Sequence, residues 1–592
     1  MRFTKLFALL LLAAVSISII QACGGGGKPA TSPQANTQPT VATTSASPTF
    51  NTPVPIPTSV PFTLKGTILD TALPFAPVEL DNVRYGGTYR YANSNSLGIL
   101  DPKFNSQSIL NVGRWFYEKT VDWRPNENDI LAHFEPVLVE SWKASSDLKT
   151  YTFTLRKGVK WHNIAPVNGR ELTADDIVFS LNRYREKDSI FYANYAQVSS
   201  IEATDSQTVV IKLNDPSAWA INDLFPTAEY IVPKELVVEE GGTIKQKVIG
   251  TGPYVVKEYA FRRGATFVRN PNYWGKDAKG NIMPYTDEIT ETFIADTATT
   301  SAAFRTGQLD TGIGGTDNIL KFGHTIPGLR IFFGGLPSGQ GVTFNTTHAP
   351  WNDVRVRRAL NLATDKEKYV SFQQIPGTAW AVSGPLTWAL VSDEPFTEEK
   401  LGPHWKYNPA EAKKLLIEAG FPDGKMKVAT PVVAGSANYQ LQLQTLQQIW
   451  KQAGIEVELQ TMDIVSYSPY YYKRAHTDLT FTFQNTGDYS LNWFAQNKFA
   501  TDAQQNSAYI SDPEVQQVVK EVKVTTDPTK LRAQAKFLWD YDTNGSWNIW
   551  LATARGYTVV SAHIRNYAIR SGNTYTGARF LPWLSDAPRT TP

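Results

Sequence analysis

The residues that could do covalent chemistry in this chain are few, and their spacing argues against catalysis. One cysteine, Cys23, occurs in 592 residues, which leaves no disulfide, no thiolate zinc or iron–sulfur site and no thiol catalysis in the body of the chain. The seven histidines are scattered, and His-Glu-x-x-His, Gly-x-Ser-x-Gly and Walker Gly-Lys-Ser/Thr are all missing from the sequence. Asp175 and Asp176 are adjacent carboxylates, but neighbours on a helix point in different directions and cannot flank a scissile bond. With no constellation that combines nucleophile, base and charge stabiliser, an enzyme such as a hydrolase is disfavoured, and neither a metal nor a cofactor is expected. What the side chains offer is recognition. Trp, Tyr and Phe number 16, 26 and 29, or 12% of the chain; most belong in cores, yet amphipathic rings in such number also suit the walls of a pocket for peptides or sugars.

Cys23 carries an address. Arg2 and Lys5 precede an apolar run from Leu6 to Ile20, and Ala22 precedes the cysteine; this is too short for a spanning helix and fits a secretory signal over residues 1–22. Ile20-Gln21-Ala22-Cys23 resembles the lipobox of bacterial lipoproteins, which implies a diacylglycerol on the Cys23 sulfur. Residues 23–63 are rich in Gly, Pro, Ser, Thr and Ala, with too little apolar surface to offset the entropy of ordering, and read as a tether. Forty flexible residues reach roughly 35 Å. At about 0.8 kcal/mol per buried methylene, two or three acyl chains would hold the protein at the membrane. Loss of Arg2 and Lys5 with the signal leaves 55 basic and 55 acidic residues, so no basic stripe recruits nucleic acid and the lipid anchor is the one membrane link. About 530 residues remain, enough for two or three domains outside the cell.

The elements that must position a pocket are legible in outline. Gly87 to Ala92 alternates as a first strand entering a polar loop, from a domain that starts near Val83. Glu140 to Arg156 reads as a hairpin about Ser145-Ser-Asp-Leu148, and Leu172 to Tyr184 as a helix capped by Thr173, with Asp175 and Asp176 in its first turn. Strands follow at Val209–Leu213, Val255–Tyr259, Thr266–Val268 and Ile289–Ile294, then a helix from Ala298 to Thr306 stopped by Gly307. From about residue 315 strands alternate with longer helices, the mark of an α/β domain. Asp353 opens a helix Val354–Ala363; Asn408 caps a helix with Pro409 in its first position and Gly420 as its stop. Helices at Tyr439–Ala453, Pro513–Lys523 and Pro528–Tyr541 and strands at Glu456–Thr461 and Asp478–Phe483 complete the domain. The β-patterned tail Trp547–Ile569 would supply a last strand to the first one.

In order, these segments resemble the family 5 extracellular solute-binding proteins of ABC importers, the dipeptide- and oligopeptide-binding group. The marks are Glu140-Ser-Trp142, Leu155-Arg-Lys-Gly-Val-Lys-Trp-His162, Leu172-Thr-Ala-Asp-Asp-Ile-Val-Phe-Ser-Leu181, Gly250-Thr-Gly-Pro-Tyr254, Arg269-Asn-Pro-Asn-Tyr-Trp274, Gly307-Gln-Leu-Asp310, Val354-Arg-Val-Arg-Arg-Ala-Leu360 and Ala412 to Gly420. Asn163 to Arg170 departs from the family's shorter turn and alters a surface loop. The resemblance implies an α/β, two-lobed periplasmic-binding-protein fold of type II (cluster C): lobe I over 83–314 with an extra subdomain over 113–232, lobe II over 315–547, and a C-terminal return to lobe I over 548–592. It also implies a monomer that closes on its ligand and is read by a permease with its ATPase subunits.

A peptide brings an ammonium into a closed cleft, and an unpaired buried charge is too costly to tolerate, so a carboxylate must wait there. By resemblance that residue is Asp488, in Thr486-Gly487-Asp488, although Tyr489-Ser-Leu-Asn492 replaces the Asp-Pro that often follows. Gln484, Asn485, Gly487 and Tyr489 would line the same segment. Trp493, Trp380, Trp388 and Trp115 are candidate walls, and Asn95 and Ser96, after the first strand, are candidate backbone contacts. Arg358, Trp161 and His162 read as structural. The alternatives are an oligosaccharide, held on Trp platforms by Gln484, Asn485 and Asn492; a nickel chelate; or a sensor read by a receptor in place of a permease.

Overall fold

The computed structural model describes the chain from Glu79 to Asp586, with Leu73 and Pro74; residues 1–72, 75–78, 95–99, 105–108, 110–111, 125–132, 226–228, 313–315, 334–338, 373–379, 382–390, 392–401, 434–436, 464–465, 467–475, 477, 485–489, 504–505, 552, 555–556, 568–581 and 587–592 lie outside the described residues. The signal, Cys23 and the tether are among the latter.

A first core collects two four-stranded sheets. In one, Thr88–Asn93 pairs in parallel with Glu288–Phe293, followed by antiparallel Gly264–Arg269 and Tyr254–Ala260. The other is antiparallel, in the order Val139–Ala144, Thr150–Leu155, Thr208–Leu213, Val198–Asp205. Strict alternation makes these strands two-faced: Tyr89 and Tyr91, like Tyr151, Phe153 and Leu155, point inward. The helix Ala174–Tyr184 starts on a capping box, with the Asp176 carboxylate accepting from the Thr173 amide at 3.0 Å, and buries Ile177, Leu181 and Tyr184.

The Gly250-Thr-Gly motif exists because of a close approach. A Cβ on Gly250 would lie 1.8 Å from the Phe116 carbonyl oxygen, and one on Gly252 2.7 Å from the Phe116 carbonyl carbon. His162 fastens this turn: its Nδ1 accepts from the Gly250 amide at 3.2 Å and its Nε2 lies 3.0 Å from the Gly252 carbonyl oxygen. Burial pulls its pKa down to about 4, so the ring is neutral. Trp161 is buried, with its indole on Asp176.

A second core is built on Gly339–Phe344, flanked antiparallel by Leu479–Gln484 and Asn548–Leu551, beside the parallel pair Met426–Val433 and Ile455–Met462. The helices Val354–Ala363, Pro409–Glu418 and Ala437–Gln452 cover it. Arg358 donates to the Asn544 carbonyl at 2.9 Å, tying one helix to the end of another. A third, helical core joins Leu491–Phe494, Pro513–Val522 and Pro528–Gly545. A small fourth cluster holds Phe304, Ile319, Ile331 and Val559, and Phe332, Val560, Ile564 and Trp583 enter the first core. Packing with the first core thus continues past residue 315 to Phe332, and the C-terminal segment returns to it.

Candidate functional site between the cores

Two stretches of chain pass between the first and second cores, and they pair with each other on both sides. Arg330–Phe333 runs antiparallel to Tyr557–Val560, with Phe333 opposite Tyr557. Further on, Gly339–Phe344 runs antiparallel to Asn548–Leu551, with Gln340 opposite Leu551. The chain therefore enters the second core after Phe333 and leaves it after Leu551, and the same two stretches form a ladder at each end of this ribbon. Ladder hydrogen bonds join main chain to main chain, so the ribbon's geometry depends little on side chains.

Two of the residues expected at a pocket, Trp380 and Gln484, lie beside these ladders. Trp380 opens a two-residue strand, Trp380–Ala381, which pairs with Thr553–Ala554 between the two ladders. Gln484 ends its strand opposite Gly339, the first residue of the second-core ladder, so the segment that follows begins at the ribbon. Asn485, Gly487, Asp488 and Tyr489 lie in that segment, outside the described residues, as do Trp388, Asn95 and Ser96. Just beyond that segment, the Ser490 hydroxyl accepts from the Trp493 amide at 3.1 Å and caps the helix Leu491–Phe494. Trp493 is half-buried against the helical core.

Trp115 belongs elsewhere. It is 2% exposed in the first core, with Tyr254 edge-on at 5.9 Å, and its indole donates to the Tyr91 hydroxyl at 3.0 Å. Tyr91 in turn donates to Glu291 at 2.5 Å, and burial raises the Glu291 pKa. This layer underlies the strand Thr88–Asn93, which leads toward Asn95 and Ser96.

A second junction between the cores was not visible in the sequence. The helix Ala220–Leu224 buries Ala220, Ile221 and Leu224 in the first core, whereas the preceding Trp219, 2% exposed, packs in the helical core with Leu491, Phe494, Val519 and Val522. The Trp219 indole donates to the Val522 carbonyl at 2.7 Å, and the Ala218 amide to the Lys523 carbonyl at 2.9 Å. Asn492, 2% exposed, donates from Nδ2 to the Asp223 carboxylate at 3.2 and 3.4 Å. Desolvation pushes the Asp223 pKa up to about 6, against the lowering effects of Gln197, Asn492, Lys523 and Ser217. Asn492, one of the amides available to a sugar, is committed to this contact.

Two α/β bodies joined by a double crossover, with a candidate binding segment starting at that crossover, form the two-lobed arrangement of periplasmic binding proteins. Residues 133–508 match Bacterial extracellular solute-binding proteins, family 5 Middle, and the chain belongs to this family. It is 27% identical over 374 residues to heme-binding protein A of Haemophilus influenzae, covering 59% of this chain and 65% of that protein. To di/tripeptide-binding protein 1 of Pseudomonas aeruginosa it is 28% identical over 442 residues, covering 68% and 78%. Among solved structures, the ABC transporter-associated periplasmic binding protein DppA from Helicobacter pylori, in complex with the peptide STSA, superposes with a TM-score of 0.65 at 21% identity, over 85% of this chain and 98% of that one. That likeness shows the fold. Among the described residues, no helix is long and apolar enough to cross a membrane.

Proposed function

We propose that this chain is the membrane-anchored substrate-binding component of an ABC importer, capturing di- and oligopeptides between its lobes and handing them to a permease with its ATPase subunits. The observation that carries this reading is the framing of segment 485–489. It starts at Gln484, beside the ribbon, and ends at Ser490, two residues before Asn492 reaches the other core. A ligand held by this segment would therefore bias both junctions at once, as closure on a bound solute requires. The similarity to a di/tripeptide-binding protein supports peptide as the cargo.

In this reading Asp488 takes the peptide's ammonium, and Gln484, Asn485, Gly487 and Tyr489 flank it. Trp493, Trp380 and Trp388 form walls, while Asn95 and Ser96 meet the peptide backbone. Trp115, buried in the first core, does not touch ligand. The lobe division drawn from the sequence is kept in outline, with the first crossover moved to between Phe333 and Gly339 and the second placed between Leu551 and Tyr557, on the packing of Ile319, Ile331 and Phe332. The protein acts as a monomer, held outside the cytoplasm by acylated Cys23.

Thermal-shift assays against pools of di- and tripeptides, oligosaccharides, nickel chelates and heme test the cargo, because a ligand bound by the folded state alone raises the melting temperature. Peptides should raise it by several degrees, and Asp488→Asn should remove that shift. A shift with sugar, chelate or heme and none with peptides would overturn the cargo. Cys23→Ser should move the protein from the membrane fraction to the soluble extracytoplasmic fraction; retention on the membrane would contradict the anchor.

A further inference from the structure

We infer that Trp219, Asp223 and Asn492 form a latch between the lobes, a contact made on closing and broken on opening, that sets how much of the protein is closed. The inference rests on the two-lobed reading above, though not on the identity of the cargo.

One side of the latch is a fixed knob. The Ser217 amide donates to the Leu148 carbonyl at 3.1 Å, and the Tyr151 hydroxyl to the Ser217 carbonyl at 2.5 Å, so the residues before Trp219 are pinned to the hairpin of the first core. On the far side, Asn194 donates to the Asp223 carbonyl at 3.0 Å and Tyr195 to the Leu224 carbonyl at 2.9 Å. Trp219 therefore projects from a braced segment and loses little freedom when it docks.

The other side is a socket suited to reversible use. Val522 and Lys523 close the helix Pro513–Val522, where the last carbonyls lie outside the intrahelical pattern, and the Val522 carbonyl also accepts from the Thr525 amide at 3.3 Å. Docking adds the Trp219 indole at Val522 and the Ala218 amide at Lys523; undocking leaves Val522 its Thr525 bond and the Lys523 carbonyl to water at a helix end, at modest cost. No strand ladder among the described residues spans this junction, and the polar contact added by Asn492 and Asp223 is a single side-chain pair. Asn492 lies four residues from Asp488, so ligand at that segment and the latch share a short piece of chain.

Hydrogen exchange on the ligand-free full chain tests this. In Trp219→Ala, the Ala218 amide and residues 515–525 should exchange about tenfold faster or more, as the closed fraction falls, with no change in the sheets 150–213 and 426–462. Trp219→Phe, which keeps a ring but loses the donor, should fall between. Asn492→Ala should accelerate the same residues, 217–223 and 515–525, by a smaller factor, and it provides a reading should the alanine variant at Trp219 fail to fold. Unchanged exchange in all three variants would overturn the latch. So would faster exchange along the whole of Pro513–Val522 and Pro528–Gly545, which would make Trp219 a permanent part of that core. Because no ligand is added, failure here is separate from failure of the peptide reading.

Discussion

Among the described residues, the two lobes meet at two junctions of opposite construction. At the ribbon, Arg330–Phe333 pairs with Tyr557–Val560 on one side and Gly339–Phe344 with Asn548–Leu551 on the other, by main-chain ladders. At the other, one indole, one amide and one carboxylate–amide pair make the contact. Two crossing stretches anchored by a ladder in each lobe can flex between the ladders but cannot come apart without partial unfolding. A knob on a helix end can separate and leave both lobes folded. On the proposed reading the ribbon is the hinge and the Trp219 contact is the part that opens.

The comparison is broken hardest at the hinge. Phe332→Pro removes a main-chain N–H from a strand paired on both sides, opposite Thr558 on one of them, and deletes a buried ring; it should cost about 3 kcal/mol or more of global stability in urea unfolding. A variant of native stability would show that the ladder is dispensable. Next, Asp488→Asn should weaken peptide binding by about a hundredfold in titration calorimetry, the order expected for an uncompensated buried ammonium, with no change in the unfolding midpoint.

The latch is sharpened by pH. The Asp223 pKa stands raised to about 6 with the lobes together, from an ordinary carboxylate value near 3.8. A raised value means the closed form holds its proton more tightly. The stabilisation this brings is complete below the ordinary value and is lost as pH rises through 6, a difference of about 3 kcal/mol over the whole window and about 1 to 2 kcal/mol between pH 5 and 7.5. Gln197, Ser217, Asn492 and the charged Lys523 surround the group, and Tyr151 also feels it. Residues 217–223 should therefore be better protected at pH 5 than at pH 7.5, and Asp223→Asn should flatten that dependence; a dependence that survives the substitution would point to another group. The smallest effect is expected at Trp115→Phe, which deletes one buried hydrogen bond to Tyr91 and should cost about 1 kcal/mol of stability while leaving ligand affinity within twofold. A large loss of affinity would return Trp115 to the pocket wall.

Where a local signal was sufficient, the sequence was a good guide. The helix Val354–Ala363 stands as read, because the Asp353 side chain accepts from the Arg355 amide and opens it. Asn408, Pro409 and Gly420, the last at φ +93°, bracket the helix Pro409–Glu418 in the same way. The helix starting at Pro528 runs to Gly545 instead of Tyr541; Arg357 and Arg358, from a helix 170 residues earlier, donate to the carbonyls of its last turn. Nothing within Pro528–Gly545 itself signals that extension. The hinge strands Arg330–Phe333 and Gly339–Phe344 are short pieces defined by partners some 200 residues away. Trp219 was hidden for the same reason. It follows Pro216 at the end of a strand and precedes a five-residue helix, where periodicity says nothing about which of two cores a ring enters. Its partner Val522 is 303 positions distant.

The claim that two bodies close on a solute is tested most directly by small-angle X-ray scattering of the purified protein, alone and with whichever pool produces a thermal shift. Closing requires the radius of gyration to fall when ligand is added, and Trp219→Ala to start from a larger radius than the native chain. A bound ligand that leaves the radius unchanged in both proteins would contradict a clamshell and leave a rigid body with a preformed pocket.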